Sequence, residues 1–226
     1  MSPLNAEPSA IEYGVFDIPL QLDADLEPQR EQLQATLLAA QRRLKAFAQQ
    51  HEWAAHVAAP FAHKVHFYAS KATFDYDLLT LCGLDPTIEL PSTYCGALEQ
   101  GVLTAVSPQL YRTLYPQGDE PDAFEKLLTH EMAHRLHIRI LAGDEEAMGP
   151  VWFYEGFALY AAGQLTNAAP VLDNDEIWAI VQEEERMDYR RYVTVLRCFL
   201  QKATLQQLVH VLFEHKSYVE SRIGLD

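Results

Sequence analysis

All of the strand-like patterning in this chain lies before residue 107, and everything after Pro121 is patterned as helix. A mixed first half that holds the strands, followed by an all-helical second half, reads as a small sheet packed against helices, an α+β layout rather than a βαβ repeat along the whole chain. Pro28 opens a stretch in which Leu33, Leu37, Leu38, Leu44, Phe47 and Ala48 recur at three, four or seven residues, and the spacing predicts a surface helix over about 28–50. Val65–Tyr68 reads as a short strand, and 71–82 as a helix stopped by Gly83. Tyr94–Val106, with Gly96 and Gly101, reads as a strand with a bend. Pro121, preceded by Asp119 and Glu120, opens the best-defined helix, which runs through Leu127, Leu128, Leu136 and Ile140 to a stop at Gly143. Pro150 opens the next helix, ending near Gly163, and further helices are expected over 174–187, 189–202 and 204–216. Residues 1–27, rich in Pro, Asp and Glu, are expected to form an N-terminal arm with one short strand near Tyr13–Ile18. Residues 28–226 are expected to form one domain.

Composition narrows the partners. Of the 226 residues, 49% are apolar and 22% charged, which is globular and not disordered. The formal charge of −15 disfavours nucleic acid and anionic membrane, since both need a basic face. No apolar run reaches the roughly 18 residues of a membrane-spanning helix, and the first ten residues lack a secretory leader's basic and apolar regions. Cys82, Cys95 and Cys198 are odd in number and widely spaced, so neither a disulfide framework nor a thiolate zinc site is expected. A cytoplasmic protein is the expectation. The oligomeric state is not legible.

The chemistry concentrates at His130-Glu131-Met132-Ala133-His134, inside the best-defined helix. HExxH is a recognised zinc-protease pattern with a physical basis. Residues i and i+4 share one helix face, so two imidazoles can converge on one ion. Glu131 lies roughly 100° around the helix, placed to reach a water without occupying the metal. Zinc makes such a water acidic, and the carboxylate takes its proton. Two histidines leave a catalytic zinc one protein ligand short, and His₂Glu is a known catalytic set. The next helix supplies Glu155 in Trp152-Phe153-Tyr154-Glu155-Gly156-Phe157-Ala158, after twenty intervening residues. That is enough for one helix to end and a second to pack back. Gly156 and Ala158 are small enough for close approach.

With these segments the chain resembles the catalytic domain of the gluzincin metallopeptidases, most closely the aminopeptidase N-like family and the compact peptidase MA-like members. The W-x-x-E-G-F-A segment matches the family's second zinc helix. Gly96-Ala97-Leu98-Glu99-Gln100 resembles the family's G-A-M-E-N edge strand, with Gln100 in place of Asn and Leu98 in place of Met. Tyr189-Arg190-Arg191-Tyr192-Val193-Thr194-Val195-Leu196 resembles the helix whose leading tyrosine stabilises the oxyanion. The resemblance covers roughly 64–215. It implies a thermolysin-like domain: a small mixed sheet, an edge strand over the active-site helix, and an all-helical C-terminal half. It implies one Zn²⁺ on His130, His134 and Glu155, with Glu131 as general base and Tyr189 as oxyanion donor, Tyr192 being its substitute. It further implies Gly96, Ala97 and Glu99 as substrate-binding residues, Glu99 pairing with the ammonium of a peptide or protein substrate.

Other polar residues carry plainer expectations. His137 shares the His130 face, but three ligands on two straight helical turns cannot converge on one zinc, so a wall or supporting role is expected. His63 and His66 point to opposite faces of a strand and make no site. Asp144-Glu145-Glu146 and Glu183-Glu184-Glu185 read as solvated faces, with no loop spacing that specifies calcium. Cys95 is expected to be buried and inert. The expected activity is zinc-dependent peptide hydrolysis, with Glu99 pointing to an aminopeptidase-like mode. The competing readings are a zinc-holding scaffold without turnover and a hydrolase for a non-peptide amide or epoxide.

Overall fold

The computed structural model describes residues 12–167, 170–186 and 188–214. The expectations for residues 1–11 of the arm and for the end of the last helix, at 215–216, fall outside them. Among the described residues the chain is α+β, with eight α-helices and one four-stranded mixed sheet. No helix among them is long and apolar enough to cross a membrane.

The strands are β1 (Leu20–Leu22), β2 (Lys64–Tyr68), β3 (Gly96–Glu99) and β4 (Val102–Val106), in the order β1-β2-β4-β3. β1, β2 and β4 are parallel, and β3 runs antiparallel to β4 on the edge. The segment read as one bent strand is therefore a hairpin. Its central residues, Gln100 and Gly101, both have positive φ (50° and 76°), as a type I′ turn requires. Gly101 is needed on a second count, because a Cβ there would lie 2.7 Å from His63 Nδ1. The early strand lies at Leu20–Leu22, not at 13–18. It joins the sheet because Leu20–Leu22 pairs with Val65–Phe67. The described part of the arm is tied in further by buried Val15, Ile18 and Leu26.

The helices are α1 (Arg30–Gln50), α2 (Lys71–Leu81), α3 (Pro108–Leu114), α4 (Ala123–Ile140), α5 (Val151–Ala162), α6 (Asn174–Gln182), α7 (Tyr189–Leu200) and α8 (Leu205–Glu214). Local chemistry sets their ends. Ser70, Ser107 and Asp188 cap α2, α3 and α7 through their side chains, and Asp173 with Glu176 forms a capping box on α6. Gly163 ends α5 in the left-handed region, φ 68°. α3 had no counterpart in the sequence reading.

Adjacent strand residues point to opposite faces, and the aromatic contacts of β2 show what covers each. Phe67 meets Phe124 of α4 at 5.4 Å between ring centroids, whereas Tyr68 meets Phe74 of α2 at 5.7 Å. Thus α4 and α2 sandwich the sheet. α4 is also covered by α1 and α5, and α5 by α7. Hence Leu128, Thr129, Met132, Ala133, Leu136 and His137 of α4 are all buried, over half of the helix circumference. Gly156 does permit a close approach, but the partner is α7: a Cβ there would stand 3.2 Å from the Tyr192 carbonyl oxygen.

His137 is core, not cleft wall. It is 1% exposed, stacks on Phe157 at 4.4 Å and 18°, and its Nδ1 is buried without a hydrogen-bond partner. Burial pushes its pKa down to about 3. The unfolded chain therefore binds a proton here between pH 6.5 and 3 that the folded chain refuses, and stability falls as pH falls through that window. His137→Phe is expected to remove this acid-sensitive component and lower the pH of acid unfolding, measured by circular dichroism. An unchanged acid midpoint would contradict a neutral buried imidazole.

Candidate metal centre

α4 and α5 are joined by a short connection containing a 3-10 turn, Glu146–Met148, and pack side by side. This brings the HExxH turn of one against the middle of the other. His130 Nε2 and His134 Nε2 are 3.0 Å apart, and Glu155 Oε2 lies 3.3 Å from the first and 3.7 Å from the second. Among the described residues these three alone form a potential metal-holding cluster. The triangle averages about 3.3 Å on a side. Zinc bonds of 2.0–2.1 Å in a tetrahedron give edges of about 3.3–3.4 Å, so the three atoms are spaced for that ion.

The donor atoms are also short of other partners. Glu155 is 1% exposed, and its Oε2 is buried without a well-aligned hydrogen bond. A carboxylate oxygen left so in a protein interior is costly unless something positive sits at it. Burial alone would raise the Glu155 pKa, but its contact with His130, first, and the charge of Arg186 outweigh it and bring it down to about 2. His134 is driven down to about 3, chiefly by burial and then by His130 beside it. Its ring is neutral and Glu155 is anionic, the forms in which each binds metal. For His130 burial opposes charge, yet Glu155 and Glu131 pull its pKa upward, with help from Gln164. A proton then competes with metal at His130, so affinity should weaken as pH falls.

The triad opens into a cleft of about 800 Å³ bounded by β3, α4, α5 and the start of α7. Glu131 lies under the edge strand, and a Cβ on Gly96 would sit 3.1 Å from its Oε1 and 3.3 Å from Leu127. Its pKa is raised to about 7, first by burial, with Glu155 adding and His130 opposing. A carboxylate near neutrality suits a general base. Gly96→Val is expected to displace the Glu131 carboxylate while metal affinity stays unchanged, which the variant's crystal structure and a metal titration check. An unmoved Glu131 in that variant would mean that the strand does not hold it in place.

The other expected residues are sorted by the same cleft. Ala97 and Glu99 line it on β3. Glu99 is exposed, and its pKa is raised by desolvation and by Glu145. Tyr189, the first residue of α7, lines the cleft with its ring 6.3 Å from that of His130. Tyr192 is buried and does not line the cleft, and its hydroxyl reaches the Glu185 carbonyl at 3.5 Å. His66 sits 3.5 Å from Asp23 on the sheet, and His63 packs by Gly101. Cys95 is buried, its thiol pushed up to about 12 by burial. Two residues at the site were not anticipated. Gln164, just beyond α5, is buried and favours the protonated form of His130. Arg186, in the loop before α7, places Nη2 3.1 Å from Glu155 Oε1. Neither lies in a motif, and Arg186 follows an acidic run that looks solvated.

No protein-family model matches the chain, and no curated protein or solved structure matches it either.

Proposed function

We propose that the chain is a zinc-dependent peptidase of gluzincin type, with a thermolysin-like arrangement of edge strand, HExxH helix and second ligand helix. The observation that carries this reading is the His130–His134–Glu155 triangle, sized for zinc and set in a cleft beside Glu131. His130, His134 and Glu155 would hold the ion. Bound there, zinc supplies an acidified water and a polarised substrate carbonyl. Glu131 would accept a proton from the attacking water and return it to the leaving amine. Tyr189 donates its hydroxyl to the oxygen on which charge develops. Burial, foremost, and the charge of Glu155 push the Tyr189 pKa up, so the phenol keeps the proton it must donate.

β3 is an edge strand and can take an extended peptide by strand addition. Glu99, at its end, would pair with the ammonium of the substrate's first residue and bias cleavage to the first peptide bond. We propose a cytoplasmic location as well, where an exposed thiol such as Cys82 stays reduced.

The test is a peptide-library digestion with the protein stripped of metal, then reloaded with one equivalent of zinc. The expected result is cleavage that appears only with zinc and removes N-terminal residues. Absence of zinc-dependent cleavage of any peptide would contradict the proposal and favour a zinc-holding scaffold.

A further inference from the structure

Glu155 has two carboxylate oxygens with different surroundings. Oε2 faces the two imidazole nitrogens, at 3.3 and 3.7 Å. Oε1 faces Arg186 Nη2 at 3.1 Å. The other terminal nitrogen of the same guanidinium, Nη1, donates to the Tyr189 hydroxyl oxygen at 3.2 Å. Tyr154, whose ring meets that of His134 at 6.0 Å, is a further hydrogen-bonding partner of Arg186. One planar group therefore joins a metal ligand on α5 to the first residue of α7.

Arginine has five N–H donors and no acceptor. Two consequences follow from that chemistry. A carboxylate with one oxygen tied to a guanidinium presents a single oxygen to an ion. A phenol that accepts from a guanidinium cannot spend its own proton on that neighbour, so the O–H stays available to another acceptor. We propose that Arg186 is a positioning residue that fixes Glu155 as a one-oxygen ligand and holds Tyr189 with its proton free for the substrate oxyanion. This rests on the zinc-peptidase reading. It adds a residue outside the motifs and couples two functions through one side chain.

A simple charge-neutralising role for Arg186 differs in one respect. Neutralising the buried Glu155 requires only a cation, whereas holding Glu155 and Tyr189 together requires a fork. Lysine supplies the first and not the second, because an ammonium is a point charge without the planar geometry. The experiment uses the full chain and its Arg186→Gln, Arg186→Lys, Tyr189→Phe and Arg186→Lys/Tyr189→Phe variants. Zinc affinity is read by chelator competition, ligand geometry by the visible spectrum of the Co²⁺-loaded protein, and turnover on a peptide cleaved by the parent.

Arg186→Gln is expected to weaken zinc binding by about 10–100-fold, as loss of a residue supporting a ligand does, and to alter the Co²⁺ bands. Arg186→Lys is expected to bind zinc within about threefold of the parent while its kcat falls about as far as that of Tyr189→Phe. The double variant should lose little more than either single one, because both remove the same interaction. Parent-like zinc affinity and Co²⁺ bands in Arg186→Gln would overturn the proposal, as would independent, multiplying losses in the double variant. If the parent binds no zinc, the underlying reading fails and this inference with it. If the parent binds and cleaves but the variants behave as the parent, this inference alone fails.

Discussion

Glu131→Gln is expected to lower peptide turnover by about 10²–10⁴-fold, the contribution of a positioned general base, while zinc stays bound at one per chain. Glutamine keeps the shape of the side chain under β3, so the close approach of Gly96 to this position is undisturbed. It cannot accept a proton. Glu131 is not among the three converging ligands, so metal affinity should stay within a few-fold of the parent. Turnover of the parent should rise with pH through the region near 7, as the raised carboxyl loses its proton and becomes a base. The variant should lose that acidic limb. Steady-state kinetics with metal analysis on the same samples checks both halves. Full turnover in the variant would remove Glu131 from the proton path.

The second large effect is at the ligands. His134→Ala should weaken zinc binding by more than about 100-fold, exceeding the 10–100-fold that a supporting residue controls. Only two of the three converging atoms would remain, and no other potential metal-holding cluster exists among the described residues. Stability reports this directly. Zinc at 100 times its Kd stabilises the parent by about 2.7 kcal/mol, which raises Tm by roughly 5–10 °C in a chain of this size. The same zinc concentration should leave the variant's Tm almost unmoved. Without metal the two proteins should melt within a few degrees of each other, because His134 is only partly buried and is neutral in the fold. A zinc-induced rise in Tm equal to the parent's would contradict the assignment of His134 as a ligand.

Much of this organisation is readable from residue order. α1 is legible because its apolar residues keep helical spacing, and Leu33, Leu37, Leu44, Phe47 and Ala48 are indeed buried. The His130–His134–Glu155 cluster is legible because an i, i+4 pair fixes its own geometry, leaving only one further residue to find. The α4–α5 packing then places Glu155 within 4 Å of both imidazoles. What escaped the reading has no periodicity to announce it. α3 is seven residues long and buries only Tyr111, so no stripe marks it. The Gln100-Gly101 turn lacks the Asn-Gly or Asp-Gly pair that signals a hairpin, so in sequence it looks like a bend within one strand. β1 has three residues and is defined by pairing with β2, a contact over forty positions away in sequence.

The same limit explains the site. His137 looks equivalent to His130 on a helical wheel, but α4 packs against the sheet, α1 and α5 at different points along its length, so facing one way along the helix does not decide between cleft and core. Tyr189 and Tyr192 are three residues apart and indistinguishable by pattern. Packing separates them, the first into the cleft and the second under α5. Arg186 is invisible for another reason: its importance lies in reaching a buried carboxylate from a half-exposed position, through a loop that no periodic rule describes.

The most direct test is diffraction from zinc-soaked crystals at the zinc absorption edge. One anomalous peak is expected within about 2.0–2.2 Å of His130 Nε2, His134 Nε2 and a single oxygen of Glu155. A peak held by other side chains, or no peak at this triangle at saturating zinc, would contradict the account.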